Sequence, residues 1–392
     1  MQKSLKIEYS LLSVFFTVYI AGSYITPVMP SIASNFEGGE TFARQMLTTP
    51  SLIVVPFILF SAILLKFFSK KTLILAGLSL YCISGVGTFL SFNADILLFF
   101  RSLSGVAAGL VTPYTTALIT DYYKGDKKDE VISKSGISSN VGGIFLLVLT
   151  GYVTSIYWRF GFLTPLLCLI PLYLIYTQIE AKRKAANHKY PFVFGLIFKK
   201  EILYICLVYF LIMVFVFNYF ASISFVIRNH NLGNSVQSGI AQSFYMIAAI
   251  IANLLLTVIK KHSSYLLFAF QLLFIAQGFF TLYDHSLDIT GAYFASFLIG
   301  MGYGAFFNSM LSLATAYTTK VNSANAISLM VASMYLAQFV SPLFLSAVST
   351  WLGISQYAEM FLLEGILFVG IAIVLFIKFL RGSKIKPQPE II

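Results

Sequence analysis

Twelve apolar stretches, each about the 20 residues needed to cross a bilayer as a helix, occupy most of this 392-residue chain. They run approximately over Tyr9–Met29, Leu47–Leu65, Thr72–Ser91, Asp95–Thr120, Ser135–Ile156, Phe160–Thr177, Glu201–Ile227, Val236–Ile259, Ser264–Leu282, Ile289–Thr318, Ala324–Ser349 and Tyr357–Leu380. In lipid a backbone satisfies its hydrogen bonds either within a helix or around a closed barrel, and the long alternating segments of a barrel are absent. With 58% hydrophobic and 10% charged residues, the chain has more apolar surface than a water-soluble domain can hide. The expected fold class is therefore an all-α membrane protein of 12 transmembrane helices.

Charge sets the expected orientation. With the N-terminus inside, 22 of the 26 Lys and Arg residues fall on the inner side, and every inner segment contributes. Short basic loops resist translocation, so both termini are expected in the cytoplasm and the chain in a bacterial cytoplasmic (inner) membrane. Of the other four, Arg44, Arg159 and Arg228 sit at outer helix ends and Arg101 lies inside span 4. The net charge of +11 follows from this bias; split among short loops, it forms no stripe for nucleic acid, and its expected partner is anionic lipid. Lys3 and Lys6 imitate the start of a signal peptide, but the run behind them is span-length and reads as an uncleaved first helix. Cys82, Cys168 and Cys206 have neither metal-site nor disulfide spacing and read as small buried residues.

The polar, basic stretch 178–200 divides the spans six and six, with an interfacial helix expected through Phe192–Phe198. The expected organisation is a six-helix bundle over 1–177, a cytoplasmic linker over 178–200, a second bundle over 201–381 and a tail over 382–392. Lys70–Lys71 recurs as Lys260–Lys261 after 190 residues, and Gly105 and Gly109 recur as Gly300 and Gly304 after 195. Glycines four apart share a helix face and admit a close neighbour, so the halves read as pseudo-symmetric copies. Such duplicated bundles hold substrate near the midplane.

Four motifs carry a resemblance to a known family. The loop after span 2 reads Ala62-Ile-Leu-Leu-Lys66-Phe-Phe-Ser69-Lys70-Lys71, and span 4 holds Arg101-Ser-Leu-Ser104-Gly105 followed by Gly109. Span 5 holds Gly136 with Asn140-Val141-Gly142-Gly143, and span 6 opens with Trp158-Arg159-Phe-Gly-Phe162. Together they resemble the major facilitator superfamily, nearest its drug:proton antiporter branch. The resemblance implies two six-helix bundles working by alternating access, with no cofactor. It also places the loop of Lys66, Lys70 and Lys71 at an inner gate; Asp121, which ends span 4 on the inner side, reads as structural or as part of that gate. Lys66 stands where the family has Asp, so the family's gating relay is not expected in its usual form, and span 5 lacks the antiporter proline.

Arg101 is the sharpest candidate, because a charge inside a span normally faces a partner or a wet cavity. Its face continues through Gly105, Gly109 and Thr112, and the resemblance favours a role in binding an anionic group or biasing a nearby acid. Asp95, near the outer surface, could pair with it, and Glu364, two turns into span 12, is the one acid clearly inside a span, read first as an outer-side residue reaching water. These three are the proton-coupling candidates. Tyr19, Tyr24, Thr112, Tyr114, Asn140, Asn218, Tyr219, Tyr245, Asn308 and Gln338 join Arg101 as candidate substrate-binding residues in an amphipathic pocket. No span contains His or paired carboxylates, so neither an intramembrane enzyme nor a metal site is expected. A channel's charged filter is also missing.

The expected function is secondary active transport of a small amphipathic molecule. Proton-coupled efflux by a monomer is preferred, and the one deep positive charge favours a neutral, zwitterionic or anionic cargo such as a carboxylate-type metal chelator. Import of a small organic anion or sugar-like solute is the alternative. A lipid flippase or membrane sensor of the same fold is the rival of another class.

Overall fold

The structure, a computed structural model, describes residues 2–180, 200–259, 264–284, 286–317, 323–354 and 357–381. These residues form helices and the turns between them, with no strand among the described residues. The chain divides into two compact units, Met1–Phe192 and Val193–Ile392. Residues 181–199 of the expected linker, the interfacial helix expected there, the tail 382–392 and Lys260–Lys261 lie outside the described residues.

Unit 1 contains α1 (Gln2–Phe16), the 3₁₀ segments Val18–Ala21 and Ser23–Val28, α2 (Met29–Asn35), α3 (Gly39–Leu59) and α4 (Ser61–Leu64). It continues with α5 (Lys70–Leu90), α6 (Ala94–Tyr122), α7 (Gly125–Ile156), the 3₁₀ segment Trp158–Cys168 and α8 (Leu169–Gln178). Unit 2 contains α9 (Lys200–Asn229), α10 (Ser235–Ile259), α11 (Ser264–Tyr283), α12 (Ile289–Ala316), α13 (Ser323–Leu352) and α14 (Tyr357–Leu380). Among the described residues eleven helical stretches are long and apolar enough to cross a membrane, and a bent pair, Leu5–Ala21 with Ser23–Asn35 at 45°, makes twelve when taken as one span.

The expected continuous first span is thus corrected to a broken one. Pro27 and Pro30 remove two backbone donors from its second half. The Ser23 carbonyl, four residues before Pro27, instead accepts the Thr26 hydroxyl at 2.7 Å. Three other boundaries move. Helix α3 starts at Gly39 rather than Leu47, after a turn in which Gly38 and Gly39 both take positive φ, a conformation that favours glycine. It stops at Leu59, and a break at Phe60 precedes α4. Helix α7 starts at Gly125, so the mixed-charge segment expected as a loop is its first turns. There Glu130 pairs with Lys127 at 3.1 Å and Lys134 at 2.6 Å, at spacings that share one helix face.

The duplicated glycines do the same work in both units. A Cβ on Gly105 would collide with the Pro50 carbonyl of α3, and one on Gly109 with the Phe57 side chain. In unit 2, Gly300 meets the Tyr245 carbonyl of α10, and Gly304 meets the Ala249 backbone. Span 4 therefore lies backbone-close on span 2, and span 10 on span 8.

Candidate transport site

Arg101 lies seven residues into α6, about 10 Å along its axis at 1.5 Å per residue, and is 0% exposed. A guanidinium has five N–H donors and no acceptor, and each donor left bare in a dry interior would be costly. Here all are used. Nε donates to the Met46 carbonyl at 2.9 Å; Nη1 donates to Ser104 Oγ at 2.8 Å and the Ile20 carbonyl at 3.4 Å. Nη2 donates to the Ala21 and Gly22 carbonyls at 3.0 and 3.1 Å. The Tyr24 ring lies 5.1 Å from the guanidinium carbon.

The sequence explains those acceptors. Pro50, inside α3, has no N–H to give to the Met46 carbonyl four residues before it. The break at Gly22 turns the neighbouring carbonyls of span 1 aside. In lipid such groups must find partners within the protein, and Arg101 supplies them. In this structure Arg101 pins the broken span 1 to α3 and α6, with all its donors engaged. The expected pairing with Asp95 is corrected. Asp95 is exposed in the first turn of α6, where Asn93 Oδ1 accepts from its N–H at 2.8 Å. A carboxylate there complements the positive end of the helix.

Other candidates divide by burial. Tyr24 packs against Arg101, and Tyr114 donates its hydroxyl to the Ser61 carbonyl at 2.6 Å, at the break between α3 and α4. Tyr219 and Tyr245 are buried and stacked, with ring centroids 5.8 Å apart. All four are buried within their own units. Tyr19, Thr112, Asn140 and Gln338 are half-buried, and Asn308 is exposed. The Tyr19 hydroxyl donates to Asn140 Oδ1 at 3.4 Å, and Asn308 Nδ2 donates to Asn253 Oδ1 at 2.6 Å. Both polar pairs are uncharged.

Asn218 and Glu364 come together deep in unit 2. Asn218 Nδ2 donates to the two Glu364 carboxyl oxygens at 3.0 and 3.1 Å, and Ser222 Oγ donates to Asn218 Oδ1 at 2.9 Å. Glu364 is 0% exposed, which corrects the reading of it as an outer-side residue reaching water.

Of the four gate residues, two pair directly. Lys70 Nζ lies 2.7 Å from Asp121 Oδ2 and also donates to the Ala117 carbonyl at 3.4 Å. Lys71 donates to the Tyr176 carbonyl at the end of α8 at 2.7 Å, and Lys66 is exposed.

Sequence reasoning missed several partners. Glu8, placed just outside span 1, is buried and pairs with Lys134 at 2.8 Å and Lys127 at 3.1 Å. Asn253 was overlooked, although it lies 55 residues from its partner Asn308 on another span. The Tyr209 and Tyr303 hydroxyls, 2.6 Å apart, were overlooked as well, since nothing local marks either. Arg159 donates to the Phe89 and Ser91 carbonyls at 3.0 and 2.6 Å, which caps the end of α5.

Comparison with known proteins agrees with the architecture. A Triacylglyceride transporter of Mycolicibacterium hassiacum is 29% identical over 122 residues, spanning 29% of this chain and 22% of the relative. An uncharacterized MFS-type transporter, EfpA of Mycobacterium tuberculosis, is 26% identical over 117 residues, with the same shares. The match thus spans about a fifth of these relatives' length. Among solved structures, the peptide transporter POT in complex with sulfate superposes with a TM-score of 0.77 at 15% identity, covering 96% of this chain and 94% of that one. A D-xylose-proton symporter gives 0.74 at 16% identity, over 95% and 97%. At such identities the superpositions establish the fold. The sequence profile of the Major Facilitator Superfamily matches residues 11–342, and the chain belongs to that superfamily of membrane transporters.

Proposed function

We propose that this protein is a proton-driven exporter of a small, amphipathic, uncharged organic molecule, acting as a monomer in a bacterial cytoplasmic membrane with both termini inside. Alternating access of the two units is the mechanism that family membership supports. One observation carries the choice of cargo: the deep positive charge, Arg101, has no donor left for a ligand. The ground for an anionic substrate goes with it. The candidate polar side chains that keep exposure are amides and hydroxyls: Tyr19, Thr112 and Asn140 in unit 1, Asn308 and Gln338 in unit 2. Such groups orient a neutral solute by hydrogen bonds while apolar walls hold its body.

Inverted membrane vesicles energised by respiration test the proposal with three probes: chloramphenicol (uncharged), ethidium (a lipophilic cation) and citrate (a carboxylate chelator). Chloramphenicol should accumulate, and an uncoupler should abolish the accumulation. Transport of ethidium or citrate alone would overturn the uncharged cargo. Accumulation indifferent to the uncoupler would overturn the proton coupling.

A second reading, lipid translocation, is favoured by a largely apolar groove of about 310 Å³ on unit 2, lined by Phe270, Leu273, Phe274, Ala276, Gln277 and Phe280 of α11, Leu298 of α12 and Val369 of α14. The triacylglyceride-transporting relative supports it too. Movement of a fluorescent triacylglycerol between liposome populations, with chloramphenicol unmoved, would select this reading.

A further inference from the structure

We propose that Glu364 is the group that takes up and releases the coupling proton, with Asn218 and Ser222 as the polar partners that accommodate both of its states. The proposal rests on the reading of the chain as a proton-driven transporter.

Apart from Asn218 and Ser222, the packing around this part of α14 is aromatic and uncharged. Helix α14 packs on α11 through Phe279, whose ring stacks on Phe361 at 5.7 Å and Phe368 at 5.9 Å. Gly365, beside Glu364, lies against the Phe280 ring. The charged residues of the packed elements are remote or turned outward. Lys200, Glu201 and Arg228 sit at the ends of α9 and are exposed. Glu359 and Lys378 on α14 are exposed, and α11 carries no charged residue. The other titratable groups on these helices are Tyr204, Cys206, Tyr209 and Tyr219 on α9, Tyr265 and Tyr283 on α11, and Tyr357 on α14. No cation lies within 4.0 Å of the carboxyl among the described residues, so its negative charge has no paired counter-ion.

The hydrogen bonds around it suit two protonation states. With the carboxylate ionised, the Asn218 amide donates to it and Ser222 donates to Oδ1, as observed. With a proton on Glu364, rotation of the amide presents Oδ1 to the new O–H donor, and Nδ2 then finds Ser222 Oγ, which can accept. The same three side chains stay hydrogen-bonded to one another in both states. The Arg101 site has no such freedom, because its acceptors are fixed backbone carbonyls. In an export cycle one proton enters from the outer side onto Glu364 and leaves it to the cytoplasm. The acid returns unchanged.

The test uses full-length protein in liposomes and has two arms. Infrared difference spectra between mildly acidic and alkaline pH should show a buried-carboxyl C=O band that titrates and that Glu364→Gln lacks. In the transport arm, Glu364→Gln should lose chloramphenicol accumulation driven by a pH gradient while keeping wild-type counterflow. A titrating band that survives Glu364→Gln, or Glu364→Gln with unaltered gradient-driven accumulation, would overturn the proposal. If Glu364→Gln fails to fold, Asn218→Ala retains the carboxyl and should shift the pH midpoint of the band; an unmoved midpoint overturns the assignment. Wild-type protein that moves no chloramphenicol counts against the exporter reading, while the infrared band judges Glu364 separately.

Discussion

The two units share a scaffold and differ in where they bury charge. In both, a glycine pair seats one helix on the backbone of another: Gly105 and Gly109 of α6 on α3, Gly300 and Gly304 of α12 on α10. The duplication stops at Arg101. The residue 195 positions later is Ser296, whose hydroxyl donates to the Ala292 carbonyl of its own helix at 2.7 Å. Unit 2 instead buries Glu364, on a different helix. Arg101 is saturated by acceptors that cannot move, whereas Glu364 is held by one neutral amide that can rotate. Burial alone does not separate architecture from chemistry; what separates them is whether the partners leave the group a second state.

The largest expected effect breaks the saturated site. Arg101→Ala leaves several buried carbonyls unsatisfied and a void beside Tyr24, and should cost about 3–5 kcal/mol, in the range seen when one side of a buried charged contact is removed. Arg101→Lys, with three donors on one nitrogen, should fall between wild type and Ala. Thermal unfolding in detergent, followed by size-exclusion chromatography, ranks the three. Equal stability of all three would make Arg101 a ligand group after all.

Next comes a matched pair. Gly105→Val and Gly300→Val push side chains into the Pro50 and Tyr245 carbonyls, and each should destabilise its own unit by about 1–3 kcal/mol. Similar losses would confirm that the repeat is structural. A large loss in one unit alone would show that the scaffolds have diverged.

Glu364→Gln should change stability by less than about 1 kcal/mol, because the amide retains the bonds with Asn218 once both amides reorient. That is the sharpest contrast with Arg101→Ala: little lost from folding, with coupling lost. A thermal shift as large as that of Arg101→Ala would place Glu364 with the architecture.

What was legible in the sequence follows the reach of each force. Span number and length come from local hydropathy, which is why the count survived even where the first span breaks. Pro27 and Pro50 each free a carbonyl of their own helix, but nothing local marks which side chain comes to it. Arg101 is conspicuous because charge is rare in spans, but its partners are not legible, because its acceptors are largely main-chain atoms, which every residue carries. The reach to Met46 spans 55 residues and the reach to Ala21 spans 80, so no local pattern encodes either. Glu364 was visible for the same reason of rarity. Its partner Asn218 lies 146 residues away, beyond the reach of any local pattern.

The smallest expected effect lies at the lysine-rich end of unit 1. The Lys70–Asp121 pair joins α5 to α6 at 2.7 Å, with side-chain exposures of 14% and 43%. At such exposure water screens the attraction, so Asp121→Asn should cost no more than about 1 kcal/mol, and less in high salt. The charge exchange Lys70→Asp with Asp121→Lys should recover part of that loss. If this contact is only a surface clamp, chloramphenicol transport by Asp121→Asn should stay near wild type. If it is an inner gate, the rate should change far more than the stability does, and the exchange should restore the rate. Measuring both quantities on the same three variants decides which. It also shows whether the exposed ion pair, unlike the saturated Arg101 site, is free to open.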